Sequence, residues 1–135
     1  MQDIFVYGTL LNDEVLRILL DQPLPKVGAR LAGYRRVTVS GQMFPAIRPD
    51  GTSSVEGALV TGLDQCAISL LDEYEGRFYR RESVVVYLDC GTPRHCQTYV
   101  FQPRYYDFLS AEAWCNDHFR ECHMSQYLAR LLGPG

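Results

Sequence analysis

The chain has 135 residues and a formal net charge of −3, from 13 basic and 16 acidic side chains. Apolar residues make up 47% of it, enough for a core that needs no disulfide or metal support. Twelve arginines and a single lysine are scattered singly or in pairs, without the basic block that nucleic-acid binding requires.

The length argues for one compact domain over residues 1–135. The start, MQDIFVYGTL, lacks the basic residues and apolar run of a signal peptide. No apolar stretch reaches the length that spans a bilayer. The expectation is a soluble, cytoplasmic protein with no membrane or nucleic-acid partner. Five cysteines then read as free thiols in a reducing compartment.

Ile4 to Tyr7, apolar and β-branched or aromatic, predict a short buried strand that stops at Gly8. Asn12 is placed as an N-cap, with Asp13 and Glu14 in the first helical turn and Val15, Leu16, Leu19 and Leu20 as the apolar stripe. DQPLP ends that helix. Val27 to Val39 read as a strand broken at Gly33. Residues 42–54 read as a loop, with an extended piece at Ala46–Arg48 and a turn at Pro49–Asp50–Gly51.

A strand follows at Val55–Leu63, then Asp64 as N-cap of a helix over 65–75. Tyr79–Leu88 and Gln97–Phe101 are predicted strands joined through DCGTPR, and VVVYL predicts cover on both faces of its strand. The last helix is expected to begin at Ser110 as N-cap, to run towards Leu132, and to end at Gly133-Pro134-Gly135. Strands in the middle and helices early, centrally and at the end give an α+β class.

Three acids, Asp72, Glu73 and Glu75, crowd the last turn of the central helix, where the macrodipole disfavours them. At about 100° per residue, Ala67, Leu70, Leu71 and Tyr74 share one face; Glu75 borders it, whereas Asp72 and Glu73 point away. Burial and the helix terminus both raise the Glu75 pKa, the property of a general acid/base near neutral pH. The plain alternative is a surface ion pair with Arg77, Arg80 or Arg81.

The second candidate is Tyr7-Gly8-Thr9-Leu10. A strand ending at glycine frees successive backbone N–H groups, which together form an anion-binding nest; Thr9 adds a hydroxyl. The alternative is an ordinary strand-to-helix turn. Cys115, His118, Cys122 and His123 sit at helical spacings but lack paired C-x-x-C geometry, so a thiol-bearing helix face is favoured over zinc. Cys90 and Cys96 flank a turn and read as reduced thiols rather than a redox bridge. His95, His118 and His123 fit no nucleophile–base–acid pattern.

The order and spacing of FVYGTL, EGALV, LDEYEGRFYRR and TYVF, over about residues 3–103, resemble the γ-glutamylcyclotransferase-like, or AIG2-like, family. That resemblance implies a small mixed β-barrel with packed helices. It implies an enzyme that acts on a small γ-glutamyl amine or peptide, whose free α-amine attacks its own γ-carbonyl to give 5-oxoproline and a released amine. No metal or cofactor is implied. The essential carboxylate falls on Glu75 and the substrate-binding loop on Tyr7, Gly8, Thr9 and Leu10. Tyr79 is a further candidate for substrate contact, Pro45-Ala46 for the pocket wall, Arg48 or Arg81 for a substrate carboxylate, and Tyr105 and Tyr106 for the rim. Whether the loop holds the substrate carboxylate or the oxyanion is left open. The alternatives are a non-catalytic binding domain of the same fold and another γ-glutamyl amide-cleaving activity. The leaving amine and the oligomeric state are not specified.

Overall fold

The computed structural model describes residues 1–22 and 24–132. Six strands, β1 (Gln2–Val6), β2 (Lys26–Val39), β3 (Pro45–Leu63), β4 (Tyr79–Leu88), β5 (Pro93–Phe101) and β6 (Leu109–Ala113), pair in the order β3-β1-β5-β4-β2-β6. A further pairing of β2 with β3 closes the first five of them into a barrel and leaves β6 on the outer edge of β2. Pairing is antiparallel except between β1 and β5, where Phe5 lies opposite Thr98. The mixed barrel expected from the sequence is therefore present.

Strand alternation divides the core in two. Phe5, Leu31, Val55, Leu59, Val86 and Val100 belong to a cluster filling the barrel. Ile4, Val6, Val60 and Phe101 face outward, beneath the helices α1 (Asp13–Leu20), α2 (Gln65–Glu75), α3 (Asn116–Cys122) and α4 (Met124–Leu131). Val15, Leu16, Ile68, Leu71 and Phe119 supply the helical side of that second cluster.

Several expectations are corrected. Residues 42–44 are loop as expected, but residues 45–54 belong to β3, which spans nineteen residues. The turn survives as a bulge. Register passes from Tyr34↔Pro49 to Ala32↔Ser54, and Asp50 closes the excursion by accepting from the Thr52 N–H and hydroxyl. β5 starts at Pro93 rather than Gln97.

Ser110 does not cap a helix. It lies in β6, its hydroxyl donating to the Thr38 carbonyl at 3.0 Å, and the helical segment begins only at Asn116 and breaks at His123. Pairing with an open strand edge outweighs the local capping signal there. The expected ending at Gly133–Gly135 lies outside the described residues.

On α2 the buried residues are Ala67, Ile68 and Leu71, and Leu70 is 45% exposed. Val85 and Tyr87 are also exposed, so the outer face of β4 is uncovered at its far end. Cys90 is exposed in the turn and Cys96 is buried in β5 opposite Val84, so the two do not face each other. No helix among the described residues is long and apolar enough to cross a membrane.

Candidate active site

Two local structures frame a cavity of about 100 Å³ where β1 leaves the barrel. The first is α2. The Asp64 carboxylate caps its start, accepting from the Ala67 N–H at 2.8 Å. Its end is set by Gly76, whose φ of 78° is accessible to glycine without strain and whose N–H donates to the Asp72 carbonyl. Glu75 is thereby the last helical residue, turned toward the barrel.

The Glu75 carboxyl makes no hydrogen bond or ion pair among the described residues, and it lines the cavity. Part of its surface stays accessible, so it is not sealed in. Packing around it nevertheless removes most of its hydration, and with the nearby Asp72 charge this raises its pKa to about 8. The surface ion pair offered as the alternative does not form. Arg81 pairs instead with Asp72 and Arg80 with Glu82, at 3.2 and 2.7 Å.

The second is the chain from Tyr7 to Leu10. A single 3-10 turn, Thr9–Leu11, follows Gly8, and its bonds run from Leu11 N–H to Gly8 O and from Asn12 N–H to Thr9 O. The N–H groups of Gly8, Thr9 and Leu10 find no acceptor among the described residues, and all three residues line the cavity. Gly8 has a negative φ, so left-handed backbone is not what requires glycine. The requirement is space: a Cβ there would stand 2.8 Å from Cγ of Pro45. Pro45 is fixed from its other side by Tyr79, whose buried hydroxyl donates to the Pro45 carbonyl at 2.7 Å. Asn12 flanks the helix as expected, but its side chain bonds the Thr9 carbonyl and Asn116 rather than capping α1.

Glu75, Tyr7, Gly8, Thr9, Leu10, Tyr79 and Pro45 are thus brought round one cavity. Arg48 lies over the Tyr106 ring at 4.3 Å, and Tyr105 packs edge-on against Phe78 at 4.7 Å. None of these last three lines the cavity as expected.

The cavity has walls that the sequence did not announce: Phe44, Tyr74, Phe78, Tyr99 and Tyr127. The Tyr99 hydroxyl donates to Asp72 at 2.6 Å, and burial and this bond both raise its pKa. Tyr74 shares hydroxyl contacts with Thr9, at 2.7 Å, and with Tyr127 on α4. The apolar spacing Met124, Tyr127, Leu128, Leu131 was the available signal for α4, but it marks a packed face and not a destination. Arg36, also missed, donates to the Tyr7 carbonyl at 2.8 Å and anchors the loop from below.

No group of His, Cys, Asp and Glu among the described residues is arranged to hold a metal. His118 and Cys122 approach to 3.7 Å on α3, with the His123 ring beside them. Chemically, one cavity brings together a proton carrier of raised pKa, residues with unpaired amide donors, and aromatic walls.

A sequence model described as gamma-glutamyl cyclotransferase, AIG2-like, matches residues 4–116. AIG2-like protein C of Arabidopsis thaliana is 36% identical over 117 residues, covering 83% of this chain and 68% of the relative. AIG2-like protein D of the same plant is 32% identical over 134 residues, covering 95% and 85%. A solution structure of an Arabidopsis thaliana protein aligns with a TM-score of 0.72 at 28% identity, over 97% of this chain and 79% of that one. A structure named Gamma-glutamyl cyclotransferase aligns with a TM-score of 0.68 over 98% and 86%; at 18% identity that likeness carries the fold. The chain belongs to the gamma-glutamyl cyclotransferase, AIG2-like, family.

Proposed function

We propose that the protein is a γ-glutamyl cyclotransferase that converts a small γ-glutamyl amine or peptide into 5-oxoproline and a free amine, with Glu75 as general acid/base. The observation that carries this reading is the unpaired, largely desolvated Glu75 carboxyl in a cavity also lined by Gly8, Thr9 and Leu10, whose N–H groups have no acceptor among the described residues.

The nucleophile and electrophile belong to one molecule, so the main task is to hold the substrate folded back on itself. Well-oriented intramolecular reactions reach effective molarities of about 10⁵–10⁸ M. An α-ammonium group ordinarily titrates at about 8. Glu75, raised to about 8, is matched to it, so the first proton passes between near-equal partners. The freed nitrogen attacks the γ-carbonyl carbon. The carbonyl electron pair moves to oxygen, and the loop amides stabilise either that oxyanion or the substrate carboxylate. Glu75 then returns a proton to the departing nitrogen as its bond to carbon breaks. A second transfer by the same route completes the lactam and the ammonium product, with no net proton change.

The test is incubation with a panel of γ-glutamyl amides and detection of 5-oxoproline. Turnover is expected in the wild type and is expected to fall by about 10²–10⁴-fold in Glu75→Gln, the usual contribution of a positioned acid/base. Full activity in a folded Glu75→Gln variant would remove the assigned role.

A further inference from the structure

Beside the cavity lies an apolar groove of about 230 Å³, lined by Val39, Ser40, Gln42, Phe44, Phe78, Phe101 and Phe108. Phe44 and Phe78 belong to both, so the groove adjoins the cavity across its aromatic wall. Both residues adjoin the reacting groups in sequence: Phe44 precedes Pro45, which packs on Gly8, and Phe78 follows Glu75 by one short turn. Phe108 stands edge-on to Phe78 at 5.8 Å and is still 50% exposed. Large apolar side chains are often exposed singly. This one instead lines a depression walled mainly by aromatic and aliphatic side chains, with Ser40 and Gln42 as its polar members.

We propose that this groove is the subsite for the leaving amine and that it selects γ-glutamyl amides of apolar or aromatic amines. The proposal rests on the cyclotransferase reading. The cavity proper is small and its walls close round Glu75 and the loop amides, so the substituent on the leaving nitrogen has to extend beyond it. Among the described residues no charged side chain lines the groove. The carboxylate of a leaving amino acid would lose hydration there, and the neighbouring Arg77 guanidinium lies over the Phe78 ring rather than in the groove lining.

A second neighbouring cavity, of about 260 Å³, is polar and shares Glu75, Tyr79 and Tyr99 with the site. Its two arginines are already engaged by protein carboxylates, Arg81 with Asp72 and Arg80 with Glu82, so a leaving carboxylate would have to compete for them. The apolar side is therefore the one with binding surface to offer.

The experiment compares kcat/KM for the γ-glutamyl amides of benzylamine and methylamine, and for γ-glutamylglycine, in the wild type, Phe108→Ser and Gln42→Glu. Benzylamide is expected to exceed methylamide by at least about tenfold, the discrimination that an apolar pocket supplies. That ratio is expected to fall toward one in Phe108→Ser, and to fall in Gln42→Glu, which sets a charge at the groove. Equal rates for the two amides, a preference for γ-glutamylglycine, or a benzyl preference untouched by both variants would overturn the subsite. If no amide is turned over, the cyclotransferase reading fails, and the groove is read by amide NMR shifts on titration with benzylamine. Shifts at Ser40 and Phe108 that Phe108→Ser abolishes uphold an apolar-amine site, and their absence overturns it.

Discussion

Asp72 and Glu75 stand one helical turn apart on α2, and only Asp72 is paired: Arg81 Nε lies 3.2 Å from its carboxylate and the Tyr99 hydroxyl donates to it at 2.6 Å. The Arg81 contact is Coulombic rather than a hydrogen bond, because the buried Nε has no acceptor in line. Those partners fix the Asp72 carboxylate beside Glu75. The acid that looked directed away from the site is thus the fixed charge that helps Glu75 keep its proton. Glu75 also faces Tyr7, Tyr74, Tyr79 and Tyr99, all with raised pKa and neutral at working pH.

Asp72→Asn removes that charge while leaving an oxygen for Tyr99. The Glu75 pKa is expected to fall from its value of about 8, and the acid limb of the kcat/KM profile to move to lower pH. Carboxyl titration by carbon NMR, without substrate, should show the same displacement. An acid limb that does not move would mean that burial alone sets the proton affinity.

Stability should record the same perturbation. Glu75 holds its proton up to about pH 8 when folded, against an ordinary carboxyl value of 4.5 when unfolded. Between these limits the folded state carries the extra proton, so stability falls as pH rises through that window and levels off above it. Glu75→Gln abolishes the ionisation. Its stability relative to wild type is expected to be near zero at pH 4 and to grow to roughly 1–3 kcal/mol at pH 9, after discounting for the carboxyl's partial access to the cavity. Urea denaturation at the two pH values measures it, and a pH-independent difference would contradict the buried, unpaired carboxyl.

Gly8→Ala tests the contact that shapes the loop. The added methyl would meet Pro45 Cγ at 2.8 Å, and Pro45 cannot retreat while Tyr79 holds its carbonyl. A cost of about 1–3 kcal/mol is expected from overpacking, together with weakened binding of 5-oxoproline as the loop amides are displaced. Calorimetric titration with 5-oxoproline and a denaturation curve separate the two effects. Unchanged stability would show that the Pro45 ring yields freely.

Tyr127→Phe cuts the hydroxyl chain that joins α4 to Tyr74 and so to Thr9. A loss of about 1 kcal/mol is expected, the ordinary net worth of a hydrogen bond, with faster hydrogen exchange in α4 than in the barrel. Equal exchange in wild type and variant would show that the apolar face of α4, and not the hydroxyl, secures it.

Local physics made much of the molecule readable before any coordinates. β4 and α2 begin and end where alternation, the Asp64 cap and Gly76 place them, because each signal is satisfied within a few residues. β3 and β6 were misread because their backbone partners are remote. A segment with Pro, Asp and Gly is carried as strand on both sides of its bulge by pairing with β2, and Ser110 became a strand residue because β2 offered an unpaired edge.

The same division runs through the site. That an acid ends a helix, that a glycine ends the first strand, and that the two fall in the order and spacing of one family could be read along the chain, since these are facts about neighbours in sequence. Only folding left the acid unpaired in the cavity that the loop residues also line, gave Asp72 to Arg81, and brought Tyr99 and Tyr127 in as walls. A carboxyl's proton affinity depends on the water and charge within a few ångströms of it, and the closed barrel, not the chain order, sets that surrounding.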